Sequence, residues 1–477
     1  MKETIVLYPA PALGHLVSMV ELGKLILQHH SHYSITILIP TTPWEDGTTI
    51  SSYINKIKLP LSFHFHHLPT PNLSISPNSN TQTRVANAFE FMRSNVPNVL
   101  HALKTISLTS TIPSLITSSV QDSYDPNIPT YYYFTSCAST LATLLYFPIL
   151  HTQTTKSFKD LPSTIFHIPG LPPITASHLP EPILDRDHQA YHDFLNFGSC
   201  LPKSNGIIVN TFESLEPIAI KAITDGDCTS PILTPPIYCI GPVIADAEDR
   251  IGNSSNSLDC LTWLNTQPSK SVVFLCFGSK GAHSTSQLRE IAVGLERSNQ
   301  RFLWVVKNPP PNNLEEPNLE LLLPNGFLER TKEMGLVVKS WATQAAVLRH
   351  ESVGGFVTHC GWNSVVEAVS AGVPMVAWPL YAEQRLNSVV LVEEMKVGIA
   401  IAIDDDGWVR GDEIERCLRE LMGSRKGEEV RKRSEEMRVM ASEAWMVGGG
   451  GGGGGGGSSL AAFSNLVASW SSNHSKG

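Results

Sequence analysis

WATQAAVLRHESVGGFVTHCGWNSVVEAVSAGVPMVAWPLYAEQ, residues 341–384, is the stretch whose reading decides the fold. Gly354, Gly355 and the apolar residues up to Thr358 read as a strand. The strand ends at His359-Cys360-Gly361, and Trp362-Asn363-Ser364 then opens a helix running to Ala371. A helix start leaves backbone N–H groups without intrahelical partners, so a strand, a glycine turn and a helix make a ready anion site. His359 stands where it can add a hydrogen bond to the same anion. Asn and Ser are also ordinary helix caps, and the residues alone leave both readings open. Further on, Pro374–Ala377 reads as a strand and Glu383-Gln384 closes the following loop. A carboxylate beside an amide suits the vicinal hydroxyls of a polyol, although most such pairs simply face solvent.

The same strand-then-helix alternation extends outward in both directions. Before the stretch lie strands at Ser271–Phe277, Arg301–Val306 and Gly335–Lys339, with a helix at Thr285–Ser298. Nearer the N-terminus, strands are predicted at Thr4–Tyr8, Tyr33–Ile39, Pro129–Phe134 and Ile207–Asn210. Val17–His29 and Ala138–Leu150 carry apolar residues at helical spacing. This alternation predicts α/β architecture with parallel sheets covered by helices. The polar stretch IADAEDRIGNSSNS interrupts it and reads as a linker. The division that follows is residues 1–243, a linker at 244–257 and a second unit at 258–447. A Gly-rich loop at 448–459 and a last helix in 460–477 complete it, the helix expected to dock back on the first unit. Two such units joined by a linker predict a cleft, with ligands bound beyond the carboxyl ends of the strands.

A chain of 477 residues with 42% hydrophobic and 17% charged residues fits two globular domains. The net charge of −9 disfavours nucleic acid as a partner. No apolar run approaches the roughly 18–20 residues that span a bilayer, so no membrane insertion is expected. The eight cysteines include no CxxC pair and suit reduced thiols, which predicts a cytoplasmic protein. His64, His66 and His67 alternate along a strand, which splits them between its faces and disfavours a shared metal. Residues 448–457 are ten consecutive glycines, read as a surface loop.

The 44 positions from Trp341 to Gln384 resemble the signature box of plant secondary-product glycosyltransferases, the family 1 UDP-sugar enzymes. PAPALGHL at 9–16, NTFESLE at 210–216, Ile240-Gly241-Pro242 and DCLTWLNTQPSKSVVFLCFGS at 259–279 look like the same family. The resemblance covers most of the chain and is nearest to enzymes acting on flavonoids, isoflavones and related phenols. It implies two Rossmann-like domains facing across a cleft, the GT-B fold. It also implies roles at matching positions. Trp341 would stack on the uracil and the Ala342 backbone bond its edge, while Gln344 and Glu367 would hold the ribose. Ser279, His359, Gly361, Asn363 and Ser364 would bind the diphosphate. Trp362, Glu383 and Gln384 would bind the sugar, with Thr135 reaching its 6-hydroxyl.

His15 follows Gly14 after the first strand. Within the family's GHL it would be the general base, since an imidazole titrates near neutrality and can accept a phenolic proton. The family also has an Asp, roughly a hundred residues later, that orients the imidazole. Here that region reads IPSLITSSVQDSYDPNIPT, with Thr117-Ser118-Ser119 where the Asp is usual. Asp122 as a substitute, a hydrogen bond from Thr117 or Ser118, or no partner at all remain alternatives. The expected reaction is inverting glucosyl transfer from UDP-glucose to a small phenolic acceptor, by a monomer without a metal or other cofactor. No DxD-like metal motif occurs in the segments expected to line the cleft. Pro11, Phe89, Met92, Phe197, Leu201, Leu380 and Tyr381 are the candidate acceptor lining. Attack by an aromatic carbon, giving a C-glycoside, and a UDP-sugar binding protein without catalysis are the alternatives.

Overall fold

The computed structural model describes residues 2–42, 48–71, 81–118, 125, 127–229, 234–245, 255–310, 316–404, 406–447 and 456–472. Asp122, most of the linker and glycines 448–455 lie outside the described residues. The chain divides into two compact units. The first is Met1–Ala245 with Tyr381–Glu383 and Glu443–Gly477, and the second is Asp246–Leu380 with Gln384–Ser442.

Among the described residues the first unit has the strands β1 Lys2–Tyr8, β2 Ser34–Ile39, β3 Phe63–His67, β4 Ser110–Thr111, β5 Leu115–Thr117, β6 Thr130–Phe134, β7 Ile165–Phe166, β8 Ile174–Thr175, β9 Gly206–Val209 and β10 Ile237–Cys239. Its main sheet runs β10-β9-β6-β5-β1-β2-β3, with β4 beside β1, while β7 and β8 form a separate antiparallel pair. The main sheet's pairings are parallel. Strands buried on both faces read as continuous apolar runs, as in IVLY of β1 and all of SITILI in β2. From β1 the chain builds outward through β2 and β3, then crosses to β5 and builds the other way. The reversal falls between β1 and β5, where Tyr8 stands opposite Thr117.

The second unit holds β11 Val272–Cys276, β12 Arg301–Val306, β13 Gly335–Lys339, β14 Val353–Thr358, β15 Met375–Ala377 and β16 Gly398–Ala400. They are parallel in the order β13-β12-β11-β14-β15-β16. The reversal here lies between β11 and β14, with Cys276 opposite Thr358. Val273, Leu275, Trp304, Val357, Val376 and Leu418 belong to its core. The fold class is the α/β one expected, with a Rossmann-like parallel sheet in each unit. All eight cysteines are buried free thiols. Among the described residues no helix is long and apolar enough to cross a membrane.

The helix Ser458–Ser472 is part of the first unit. Phe463, Leu466, Val467 and Trp470 join the core built on β1 and β2, while Ser459 Oγ donates to the Gly241 carbonyl at 2.5 Å. Tyr131 and Ser469 share a hydrogen bond of 2.7 Å, and the Trp470 indole packs edge-on to Tyr33 and Tyr131. Trp470 is fully buried, so Trp470→Ala should lower stability by about 3–5 kcal/mol. Calorimetry of wild type and variant should then show a fall of several degrees in the unfolding midpoint of the first unit.

Candidate active site

Parallel α/β sheets present ligands with a crevice where the strand order reverses, because the two neighbouring loops leave in opposite directions there. In the second unit the loops leaving β11 and β14 begin at this reversal. The first carries Gly278 and Ser279, the second His359, Cys360 and Gly361. Gly278 lies in the left-handed region, at φ 72°. A Cβ there would stand 2.5 Å from His359 Nε2, and one on Gly361 would also stand 2.5 Å from it. Both glycines are therefore packed directly on the imidazole. Gly361 is the N-cap of the helix Trp362–Ala371 and gives it no side-chain cap. The Gly361 carbonyl accepts from the N–H groups of Ser364 and Val365, which starts the helical ladder. The positive end of this helix thus begins beside His359, the end that favours an anion. Burial pushes the His359 imidazole down to about 4, with the Lys307 charge adding to the shift, so it is neutral at pH 7.

Gln344 Nε2 donates to Ser364 Oγ at 2.9 Å and to Glu367 Oε2 at 2.8 Å. Three residues expected at the donor site are thus joined in one network. Trp341 is partly exposed, whereas Ala342, Trp362, Ser364, Glu367 and Gln384 are buried. Ser279 is exposed, and Asn363 is partly so. Gln384 Oε1 accepts from the Leu380 N–H at 2.9 Å, which closes the loop after β15.

In the first unit, His15 lies in the opening turn of the helix Leu13–His29, directly after β1. His15 Nδ1 and Thr135 Oγ1 are 3.1 Å apart. Thr135, expected at the sugar, follows β6 and so comes two strands over from β1. The next residue, Ser136, donates from Oγ to Glu383 Oε1 at 3.1 Å. The helix Ala138–Gln153 begins immediately after, and Glu216 fixes its start. The Glu216 carboxylate accepts from the N–H groups of Ala138 and Ser139, both at 2.9 Å. It also takes the hydroxyls of Ser139 and Thr211, at 2.8 and 2.7 Å. Burial raises this carboxyl's pKa, and the four hydrogen bonds pull the other way. Thr117 ends β5 and is fully buried, and Ser118 Oγ is buried with no partner among the described residues.

The residues named for the acceptor fall in separate places. Phe89, Phe197 and Leu201 belong to one apolar cluster, where Phe89 packs edge-on to Phe194 and Phe197. Leu201 is fully buried there, and Met92 is buried in a different cluster. Pro11 is buried and Tyr381 partly exposed in the first unit, while Leu380 packs on the core of the second. Among the described residues no three His, Cys, Asp or Glu side chains are gathered as a metal site would need.

Several supporting residues escaped the sequence reading. Lys307 donates to the Gly278 carbonyl and, at 2.8 Å, to that of Ser279, and burial lowers its pKa. Asn387 Nδ2 holds the Cys360 carbonyl at 3.0 Å. Glu181 grips Ala382, its N–H donating to the Ala382 carbonyl at 2.9 Å and its carboxylate accepting from the Ala382 N–H at 3.1 Å. Ser340, Cys360 and Ala382 have φ of 64°, 63° and 58°. These left-handed non-glycine residues sit beside Trp341, His359 and Glu383. A β-carbon makes that conformation costly, so the surroundings hold it in place. No sequence pattern marks it. NTFESLE at 210–216 was read only as part of the family resemblance, and nothing in it showed that Glu216 would hold the start of the helix Ala138–Gln153.

Comparison with known proteins places this geometry. Residues 238–425 match the family model for UDP-glucoronosyl and UDP-glucosyl transferase. UDP-glycosyltransferase 88F3 of Pyrus communis is 48% identical over 93% of this chain and 96% of its own length. A phloretin 2'-O-glucosyltransferase of Malus domestica is 47% identical over 93% of this chain and 96% of its own. The solved structure of Phytolacca americana UGT2, complexed with UDP-2fluoro-glucose and pterostilbene, has a TM-score of 0.83 at 35% identity. It covers 98% of this chain and 100% of that one. The chain belongs to this family of UDP-glycosyltransferases and has its GT-B class of fold.

Two outcomes follow from the packing around His359 and His283. Gly361→Ala forces a β-carbon into the His359 ring, so the affinity for UDP measured by calorimetric titration should fall at least about tenfold. His283 packs edge-on to Phe277 at 4.3 Å and against Trp378 at 5.2 Å, with its Nε2 buried and without a partner among the described residues. Burial pushes its pKa down to about 4. An unfolded imidazole titrates near 6.5, so this group costs no stability above that pH. Stability is lost as the pH falls from about 6.5 towards 4, because only the unfolded chain takes up the proton. His283→Phe removes that titration. Its stability relative to wild type should improve by about 2 kcal/mol between pH 7.5 and pH 5, read from urea midpoints.

Proposed function

We propose that this chain transfers glucose from UDP-glucose, with inversion, to a hydroxyl of a phenolic plant metabolite of the flavonoid type. One observation carries the reading. The glycine-packed His359 and the adjoining helix start stand at the strand reversal of a chain nearly half identical, over almost its full length, to a named phloretin glucosyltransferase. Pterostilbene, the molecule complexed with Phytolacca americana UGT2, is a phenol as well.

In this mechanism Trp341 stacks on the uracil and the Ala342 backbone bonds its edge. Gln344 and Glu367 hold the ribose, and their mutual hydrogen bond fixes both head groups beforehand. The diphosphate lies on the helix start at Gly361–Ser364, with Ser279 and the neutral His359 as further donors. Trp362, Glu383 and Gln384 bind the sugar hydroxyls. His15 takes the proton from the acceptor hydroxyl as its oxygen attacks the anomeric carbon. The bond to UDP breaks from the opposite face. Negative charge then grows on the diphosphate at the positive end of the helix, and a fixed dipole of this kind needs no reorganisation during the reaction.

The test is incubation with UDP-glucose and a panel of flavonoids, phloretin included, read by mass spectrometry. A glucoside of at least one phenol is expected. His15→Ala should lower kcat by about 10²- to 10⁴-fold, the usual worth of a general base. Full turnover in that variant would overturn the base assignment, and no product from any phenol would overturn the glucosyl transfer.

A further inference from the structure

We propose that Thr135 is the positioning residue of His15, its hydroxyl oxygen accepting the Nδ1 proton and so fixing the imidazole tautomer. The inference rests on the reading of His15 as the base. A neutral imidazole carries its proton on one nitrogen only, and the partner of one nitrogen decides whether the other is a base. With Nδ1–H pointing at Thr135 Oγ1, 3.1 Å away, Nε2 keeps its lone pair and can accept the acceptor's proton.

The hydroxyl is held on a rigid support. Its strand, β6, is paired on both sides, with Thr117 opposite Tyr132 and Phe134 opposite Val209. Two residues beyond Thr135, Cys137 caps the helix Ala138–Gln153, its sulfur accepting from the Thr140 N–H at 3.2 Å. Buried Glu216 locks the next two N–H groups. Ser136, between them, is bonded to Glu383. Thr135 therefore has little freedom to swing away from the imidazole. A threonine oxygen accepts through a lone pair and retains its own proton. The same hydroxyl can hold Nδ1–H and still donate to a sugar hydroxyl, so the sugar contact expected from sequence and the role assigned here are compatible.

The experiment compares Thr135→Val, Thr135→Ser, Asp122→Asn and His15→Ala in the full chain, by steady-state kinetics and by ¹⁵N NMR of the histidine ring nitrogens. His15→Ala identifies the His15 signals. Wild type should show His15 protonated on Nδ1 at pH 8, and Thr135→Ser should keep that tautomer. Thr135→Val should lose the preference and lower kcat about 10- to 100-fold. Thr135→Ser should recover most of the rate. Two results would overturn the inference: an unchanged His15 tautomer in Thr135→Val, or loss of the tautomer and rate in Asp122→Asn with Thr135→Val unaffected. His15→Ala separates the two claims. If it keeps full turnover, the base reading fails. If it is inactive while Thr135→Val behaves as wild type, only the positioning role fails.

Discussion

Everything at the proposed site depends on a constraint of parallel sheets. Neighbouring strands share direction, so all their carboxyl ends lie on one edge, and at a single place the connections part. In the second unit that place is the pairing of Cys276 with Thr358, and in the first it is the pairing of Tyr8 with Thr117. The glycine turns and helix starts that follow are accommodated there because no crossover covers them. Gly278, His359 and Gly361 meet at one reversal, and His15 follows the other.

Around each reversal the chain uses hydrogen bonds to remove freedom from groups that chemistry needs held still. Glu216 ties down the helix start behind Thr135 and Ser136, while Gln344 ties Ser364 to Glu367. Lys307 ties the Gly278–Ser279 carbonyls to the end of β12. Left-handed backbone at Ser340, Cys360 and Ala382 shows the same economy. A folded chain tolerates such cost where the surroundings fix the conformation, and these three adjoin residues assigned to the donor, whereas Lys270, Asn299 and Lys396 adopt it elsewhere.

Much of this was legible in the sequence, for identifiable reasons. The helices at Thr285–Ser298 and Trp362–Ala371 and the strands at Arg301–Val306 and Gly335–Lys339 carry both periodicity and terminal signals, and they fall where expected. The anion-site reading of Gly361–Ser364 came from local chemistry alone, because strand, turn and helix are contiguous. Partners brought together by sheet order were not legible. The imidazole partner was sought at Thr117, Ser118 or Asp122, since a sequence shows which strand follows but not which side chain a strand two places over presents. Thr135 was assigned to the sugar because the resemblance implied it, and its contact with His15 was not foreseen. The acceptor lining was hardest, because Leu201 and Met92 are apolar in the way every core residue is.

A single displacement at the anomeric carbon is the proposed reaction, with His15 as the base and the diphosphate on the helix start at Gly361–Ser364. The stereochemistry of the product tests it most directly. The sugar in UDP-glucose is α-linked, so ¹H NMR of the freshly formed glucoside should show the β anomer alone. An α-linked product would contradict the account.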